Sequence, residues 1–78
     1  MTLTMYSRPG CHLCDGMMAV IRRVTSGKSC AVETIDISGH PDLEARYGVD
    51  IPVLLVDGRK VAQHRISDAE LSRILGGQ

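Results

Sequence analysis

The sequence has no tryptophan and no phenylalanine, and its only aromatic residues are Tyr6 and Tyr47. It therefore has no set of ring platforms on which nucleic-acid bases could stack. It also has no excess charge. Nine basic residues balance nine acidic ones, so the positive footprint of a nucleic-acid binder is missing. No apolar run approaches the roughly 20 residues of a membrane span. The first residues, Met1-Thr2-Leu3-Thr4-Met5-Tyr6, carry neither a basic stretch nor a long apolar stretch. No secretory signal is expected, and the cytoplasm is the expected compartment. Three cysteines in 78 residues are too few for a disulfide-stapled scaffold. Their number is odd and two lie three positions apart, a pattern that points to redox or metal chemistry in a reducing compartment.

What remains is a chain of ordinary globular composition, 44% hydrophobic and 23% charged, which argues against disorder. Seventy-eight residues make one domain, 1–78, with a thin core. Thr2 to Tyr6 mixes β-formers with apolar residues and predicts a strand, broken by Ser7-Arg8-Pro9-Gly10. After Cys11, residues Leu13, Met17, Val20, Ile21 and Val24 follow helical spacing and predict one buried face. Arg22 and Arg23 suit the negative end of that helix, and Gly27 lies just past its stop. Ala31 to Ile37 predicts a second strand, although its pattern does not alternate cleanly. Pro41 opens a short helix bearing Leu43 and Tyr47, with Gly48 as its C′ residue.

Ile51 to Val56 predicts a buried strand, and Asp57-Gly58 is a strong hairpin signal leading into a more polar strand from Arg59 to Arg65. Ser67 and Glu70 form a capping box ahead of a last helix with Leu71, Ile74 and Leu75 inside. The order is β-α-β-α-β-β-α. The first pair of strands is expected to be parallel with a right-handed crossover. The last pair must be antiparallel, because two residues join them.

The chemistry-bearing motif is Cys11-His12-Leu13-Cys14, placed where the first strand ends and the first helix begins. Free N–H groups and the positive dipole end favour a thiolate at Cys11. A thiolate is the nucleophile of disulfide exchange. The expected mechanism has Cys11 attacking a substrate disulfide and Cys14 resolving the mixed disulfide. Arg8 and a protonated His12 add positive potential, and Asp15 opposes them. A metal-binding module is the competing reading, since zinc or copper sites also use C-x-x-C. Zinc would need four ligands, drawn from Cys11, Cys14, His12 and a distal residue. An interaction module without turnover is a third reading. Ile51-Pro52 is a second signal. Proline removes a ladder donor at the start of a buried strand, and a cis X–Pro bond is the usual reason for keeping one there, with a trans proline as the alternative.

Other residues have plainer readings. Cys30 suits a small buried hydrophobe, with a regulatory or dimer-forming thiol as the alternative. His40 and His64 suit a helix-start residue and a solvated strand residue. Met17 and Met18 suit the core and its flank, Asp36 is expected to be solvated, and Arg22 and Arg23 to be exposed. Tyr6 suits either substrate contact or packing beside the site.

The segment Tyr6-Ser7-Arg8-Pro9-Gly10-Cys11-His12-Leu13-Cys14 resembles the strand-loop-helix motif of glutaredoxins, and Gly48-Val49-Asp50-Ile51-Pro52-Val53-Leu54 resembles their cis-proline loop. With the hairpin and last helix, the resemblance to small bacterial glutaredoxin-like proteins of the thioredoxin-fold superfamily covers nearly the whole chain. It implies an α/β thioredoxin-like fold, a four-stranded mixed sheet with three helices. It implies a dithiol oxidoreductase in which Cys11 and Cys14 are the redox pair and Pro52 faces them. The backbone of Ile51 would pair with an extended substrate, and Arg8 would take the place of a lysine that assists glutathione binding. Tyr6, Leu13, Ser67 and Asp68 complete the implied substrate or glutathione site. The chain departs from the family in two places. Gln63-His64-Arg65-Ile66-Ser67-Asp68 replaces a Gly-Gly pair followed by Asp, and His12-Leu13 replaces Pro-Tyr. The implied partners are protein disulfides, with glutathione as co-substrate or a thioredoxin-type reductase. No bound cofactor is implied, and a monomer is expected.

Overall fold

The computed structural model describes residues 1–76; Gly77 and Gln78 of the expected 1–78 domain lie outside the described residues. Its elements are β1 (Thr2–Ser7), α1 (His12–Thr25), β2 (Ala31–Asp36), α2 (Pro41–Tyr47), β3 (Val53–Val56), β4 (Arg59–Gln63) and α3 (Asp68–Gly76). This is the expected β-α-β-α-β-β-α order. The four strands form one mixed sheet in the order β2-β1-β3-β4. β1 runs parallel to β2 and antiparallel to β3, and β3 runs antiparallel to β4.

Strand alternation sorts the side chains onto two faces. Leu3 and Met5 of β1 lie opposite Val56 and Leu54 of β3, and all four are buried. Against this face pack Cys14, Met17, Ile21 and Val24 of α1 and Leu71 and Leu75 of α3, with Ile66 of the β4–α3 connection. The other face carries Tyr6 opposite Val53. There the Tyr6 ring stacks on Tyr47 of α2, with centroids 4.5 Å apart and planes 15° apart. The two aromatics of the sequence are thus spent on fastening α2 to the sheet. No residue of α2 is buried, so this face has the lighter cover.

Local chemistry explains most boundaries. Asp57 (φ 49°) and Gly58 (φ 84°) both take the left-handed region, as a two-residue hairpin with the sheet's own twist requires. Ser67 and Glu70 cap α3 reciprocally. The Glu70 N–H donates to Ser67 Oγ at 3.0 Å, and the Ser67 N–H donates to Glu70 Oε1 at 3.2 Å.

Five expectations need correction. Leu13 is 38% exposed, because Cys14, Met17, Ile21 and Val24 (spaced three, four and three apart) take the inner stripe and leave Leu13 at its edge. Val20 at the other edge is half-buried. Gly48 is the C-cap in right-handed geometry (φ −53°), not a left-handed C′ residue. Its lack of a side chain answers a close approach instead, since a Cβ there would lie 2.5 Å from the Glu44 carbonyl oxygen. The third strand begins at Val53, after the Ile51-Pro52 turn. The fourth ends at Gln63, because His64 turns left-handed with φ 66°. Its register with β3 also shifts between Leu54 and Leu55, which leaves Val61 as an extra residue in the ladder. The second strand stops at Asp36, although the Ile37 N–H still donates to the Ser7 carbonyl at 2.9 Å and its side chain is fully buried.

No helix of the described residues is long and apolar enough to cross a membrane.

Candidate functional site

Cys11 is the N-cap of α1, in extended conformation (φ −88°, ψ 106°), and its sulfur accepts the Cys14 N–H at 3.1 Å. The break at Pro9-Gly10 ends β1 and lets the chain turn into this cap; Gly10 has φ 77°. One helical turn returns Cys14 beneath Cys11. Their Cα atoms are 5.2 Å apart and their sulfurs lie at disulfide distance. The two environments differ. Cys14 is 3% exposed and belongs to the core cluster, whereas Cys11 is half-buried at its margin. Reduced, the Cys11 sulfur would sit where N–H groups and the helix dipole favour negative charge. An outer nucleophile over an inner resolving thiol suits two-step disulfide exchange.

The loop before β3 carries the second signal read from the sequence, Ile51-Pro52. The Ile51–Pro52 peptide bond is cis. Pro52 is fully buried, and Ile51 packs against the core cluster. His64, the residue just past β4, grips the loop. The His64 N–H donates to the Pro52 carbonyl at 2.8 Å, and His64 Nε2 lies 3.1 Å from the Val49 carbonyl. Val49 itself is 90% exposed.

Between α1 and the β4–α3 connection opens a cleft of about 480 Å³. His12, Leu13 and Met17 line one wall, and His64, Arg65 and Ile66 line the other, with Ser67 and Glu70 at its end. His64 and Arg65, expected from the sequence to end a strand, therefore form a wall of this cleft together with Ile66. Their role was hidden because no glycine or proline marks the turn at His64.

The remaining candidate residues are dispersed. Arg8 rests on α2, with one guanidinium nitrogen 3.5 Å from the Gly48 carbonyl and the other 3.6 Å from Glu44. Asp68 is bound by Arg23 of α1 through two hydrogen bonds of 2.9 and 3.0 Å. That pairing holds the Asp68 carboxyl below its ordinary range, and Arg23, exposed in the last turn of α1 as expected, gains a partner on α3. Ser67 serves the capping box. Tyr6 lies under Tyr47. Asp36 is exposed as expected, and its carboxyl is held low by the Ser38 N–H, with His40 and Arg8 adding to the effect. His40 sits at the N-cap of α2 without a side-chain cap bond. Met17 is buried in the core and Met18 flanks it. Cys30 is a free, half-buried thiol just before β2, not a fully buried one. Among the described residues, no three of His, Cys, Asp and Glu gather closely enough to hold a metal ion.

Known proteins are similar to this chain in sequence and fold. The glutaredoxin-like domain (DUF836) is matched over residues 2–76. An uncharacterised protein of Mycobacterium bovis is 31% identical over 77 residues, covering 86% of this chain and 78% of its own length. The X-ray structure of a structural genomics target from X. campestris is 30% identical and covers 97% of both chains, with a TM-score of 0.84. At 18% identity, thioredoxin 1 of Thermosipho africanus aligns over 99% of this chain and 92% of its own with a TM-score of 0.69, which shows a shared fold. The β-α-β-α-β-β-α chain, with its cysteine pair at the head of α1, belongs to the glutaredoxin-like domain family and has the thioredoxin fold.

Proposed function

We propose that the protein is a dithiol thiol–disulfide oxidoreductase working in the cytoplasm as a monomer, with protein disulfides as substrates. The observation that carries this reading is the asymmetry of the cysteine pair. Cys11 is half-buried at a helix N-cap, and Cys14 is buried one turn below with its sulfur at disulfide distance. The Cys11 thiolate attacks one sulfur of the substrate disulfide, and the other sulfur leaves as a thiolate that takes up a proton. Cys14, deprotonated, then attacks Cys11 Sγ and expels the second substrate thiolate. The substrate disulfide becomes two thiols and the protein dithiol becomes a disulfide, so two electrons pass from protein to substrate. Two glutathione thiols, or the dithiol of a thioredoxin-type reductase, return the Cys11–Cys14 disulfide to its two thiols and are themselves left as a disulfide.

The loop at Ile51-Pro52 supports substrate pairing, because Ile51 lies outside the paired registers of β3. His12 and Leu13 extend the site into the cleft. Arg8 acts at longer range, through its positive charge. Ser67 and Asp68 are already engaged by Glu70 and Arg23, which favours protein disulfides as substrates and leaves glutathione the role of co-substrate. Zinc binding has less support, since no third ligand joins the pair among the described residues.

The test is intact mass after exposure to oxidised glutathione, in a Cys30→Ser background. The Cys14→Ser protein should carry one glutathione on Cys11, while the protein with both cysteines forms its internal disulfide and carries none. An internal disulfide in the protein that keeps both Cys11 and Cys14, with no adduct on the Cys14→Ser protein, would remove glutathione and retain the dithiol. Failure to form either would overturn the proposal.

A further inference from the structure

His64 is the one residue other than glycine and the hairpin residue Asp57 to hold a positive φ among the described residues. No glycine relieves it, and nothing about the hairpin demands it. A left-handed non-glycine residue outside a tight turn invites a functional explanation, and histidine tolerates that region better than most side chains. The consequence of this turn is visible on both sides. Upstream, the His64 N–H continues the β3–β4 ladder by one step, donating to the Pro52 carbonyl at 2.8 Å. The ring then swings to place Nε2 3.1 Å from the Val49 carbonyl. A carbonyl accepts only, so Nε2 carries the hydrogen in this contact. One residue thus holds Val49 and Pro52, and Ile51 lies between them. Downstream, the same turn delivers Arg65, Ile66 and Ser67 to the wall of the cleft opposite His12 and Leu13.

We propose that His64 is a positioning residue for substrate recognition. It braces the Val49–Pro52 loop at both ends, so that the Ile51 backbone is presented at a fixed height to an extended peptide carrying the disulfide. This inference rests on the thiol–disulfide reading above and adds how the polypeptide part of the substrate is held. Without the ring, Val49 loses its tether and the loop samples other positions. Pairing with a peptide backbone weakens, while the thiol chemistry of Cys11 is untouched. A substrate without a peptide backbone does not use the loop.

The experiment compares two disulfides in single turnover with the reduced protein, so that no added reductant is needed. One is a short cysteine peptide dimerised through its disulfide, and the other is hydroxyethyl disulfide. His64→Gly removes the ring and accepts the left-handed φ without strain. His64→Gln restores an N–H donor at about the place of Nε2. We expect His64→Gly to react with the peptide disulfide about threefold to tenfold more slowly than wild type, the worth of one ordinary hydrogen bond. His64→Gln should recover most of that rate. All three proteins should react with hydroxyethyl disulfide within about twofold of one another. Faster amide exchange at Asp50, whose N–H within the loop donates to the Tyr47 carbonyl at 2.8 Å, in His64→Gly, reversed in His64→Gln, would support the bracing without reference to turnover. Equal losses on both disulfides, an unchanged peptide rate, or no recovery with glutamine would each overturn the role of His64. Wild-type protein inert toward both disulfides would instead overturn the oxidoreductase reading, and this inference with it.

Discussion

The N-termini of α1 and α3 face the same physical problem and solve it with different chemistry. Each presents N–H groups that have no partner within the helix. At α1 the cap is the Cys11 sulfur, which accepts the Cys14 N–H. At α3 it is the Ser67 hydroxyl, which accepts the Glu70 N–H, while the Glu70 carboxylate returns to the Ser67 N–H. Asp68, in the first turn of α3, is neutralised in turn by Arg23. The α3 terminus is therefore closed by its own side chains and stabilises the fold. The α1 terminus is capped by a sulfur that also lies at disulfide distance from Cys14. A helix dipole is a general asset, and the residue placed on it decides whether it serves stability or reactivity.

The comparison can be broken at either end. The largest effect is expected from Cys11→Ser. Serine is a good cap but not a nucleophile for disulfides at neutral pH, so the helix should persist while exchange falls to background. Circular dichroism and a disulfide-reduction assay would separate the two, and surviving exchange would show that Cys11 is not the attacking residue. Next is Leu71→Ala, which empties a fully buried position below the inert cap. It should cost about 2–5 kcal/mol of stability, measured by urea unfolding, with Cys11 alkylation kinetics unchanged in the protein that remains folded. Ser67→Ala opens the capping box and should cost about 1 kcal/mol, again without effect on Cys11 chemistry. A matching loss of exchange rate would mean that the two termini are not independent.

The smallest effect concerns pH. Arg23 holds the Asp68 carboxyl below its ordinary range, so the folded state binds that proton less readily than the unfolded chain. The pair's contribution is complete above the unfolded carboxyl value. It fades as pH falls through the lower folded one. The pair is exposed, so the contribution is small and screened by salt. Acid unfolding of Asp68→Asn should show a slightly shallower dependence on pH than wild type, and the difference should shrink in high salt.

Much of the architecture was legible because local signals agreed with it. The Ser7-Arg8-Pro9-Gly10 break, the Asp57-Gly58 turn and the Ser67/Glu70 box act over two to four residues, and each lies where the elements meet. The cysteine pair was legible for the same reason, since a spacing of three on a helix start is itself a geometry. What escaped was non-local or unpunctuated. Arg23 and Asp68 are 45 residues apart, and no pattern within either helix announces their pairing. The turn at His64 lacks the glycine that would have marked it, so β4 was read two residues too long and the cleft wall was missed. Leu13 fits a helical stripe on spacing alone. Only the packing of Cys14, Met17 and Ile21 against the sheet shows that the stripe passes beside it.

The central claim is that the α1 N-terminus holds Cys11 as a poised thiolate. Its most direct test is the pH dependence of Cys11 alkylation by iodoacetamide in the reduced Cys14→Ser, Cys30→Ser protein, folded and in denaturant. The account predicts that the folded protein reacts with a midpoint clearly below the roughly 8.5 of an ordinary cysteine, and that unfolding restores the ordinary value. Coincident curves, or a folded midpoint above the unfolded one, would contradict it.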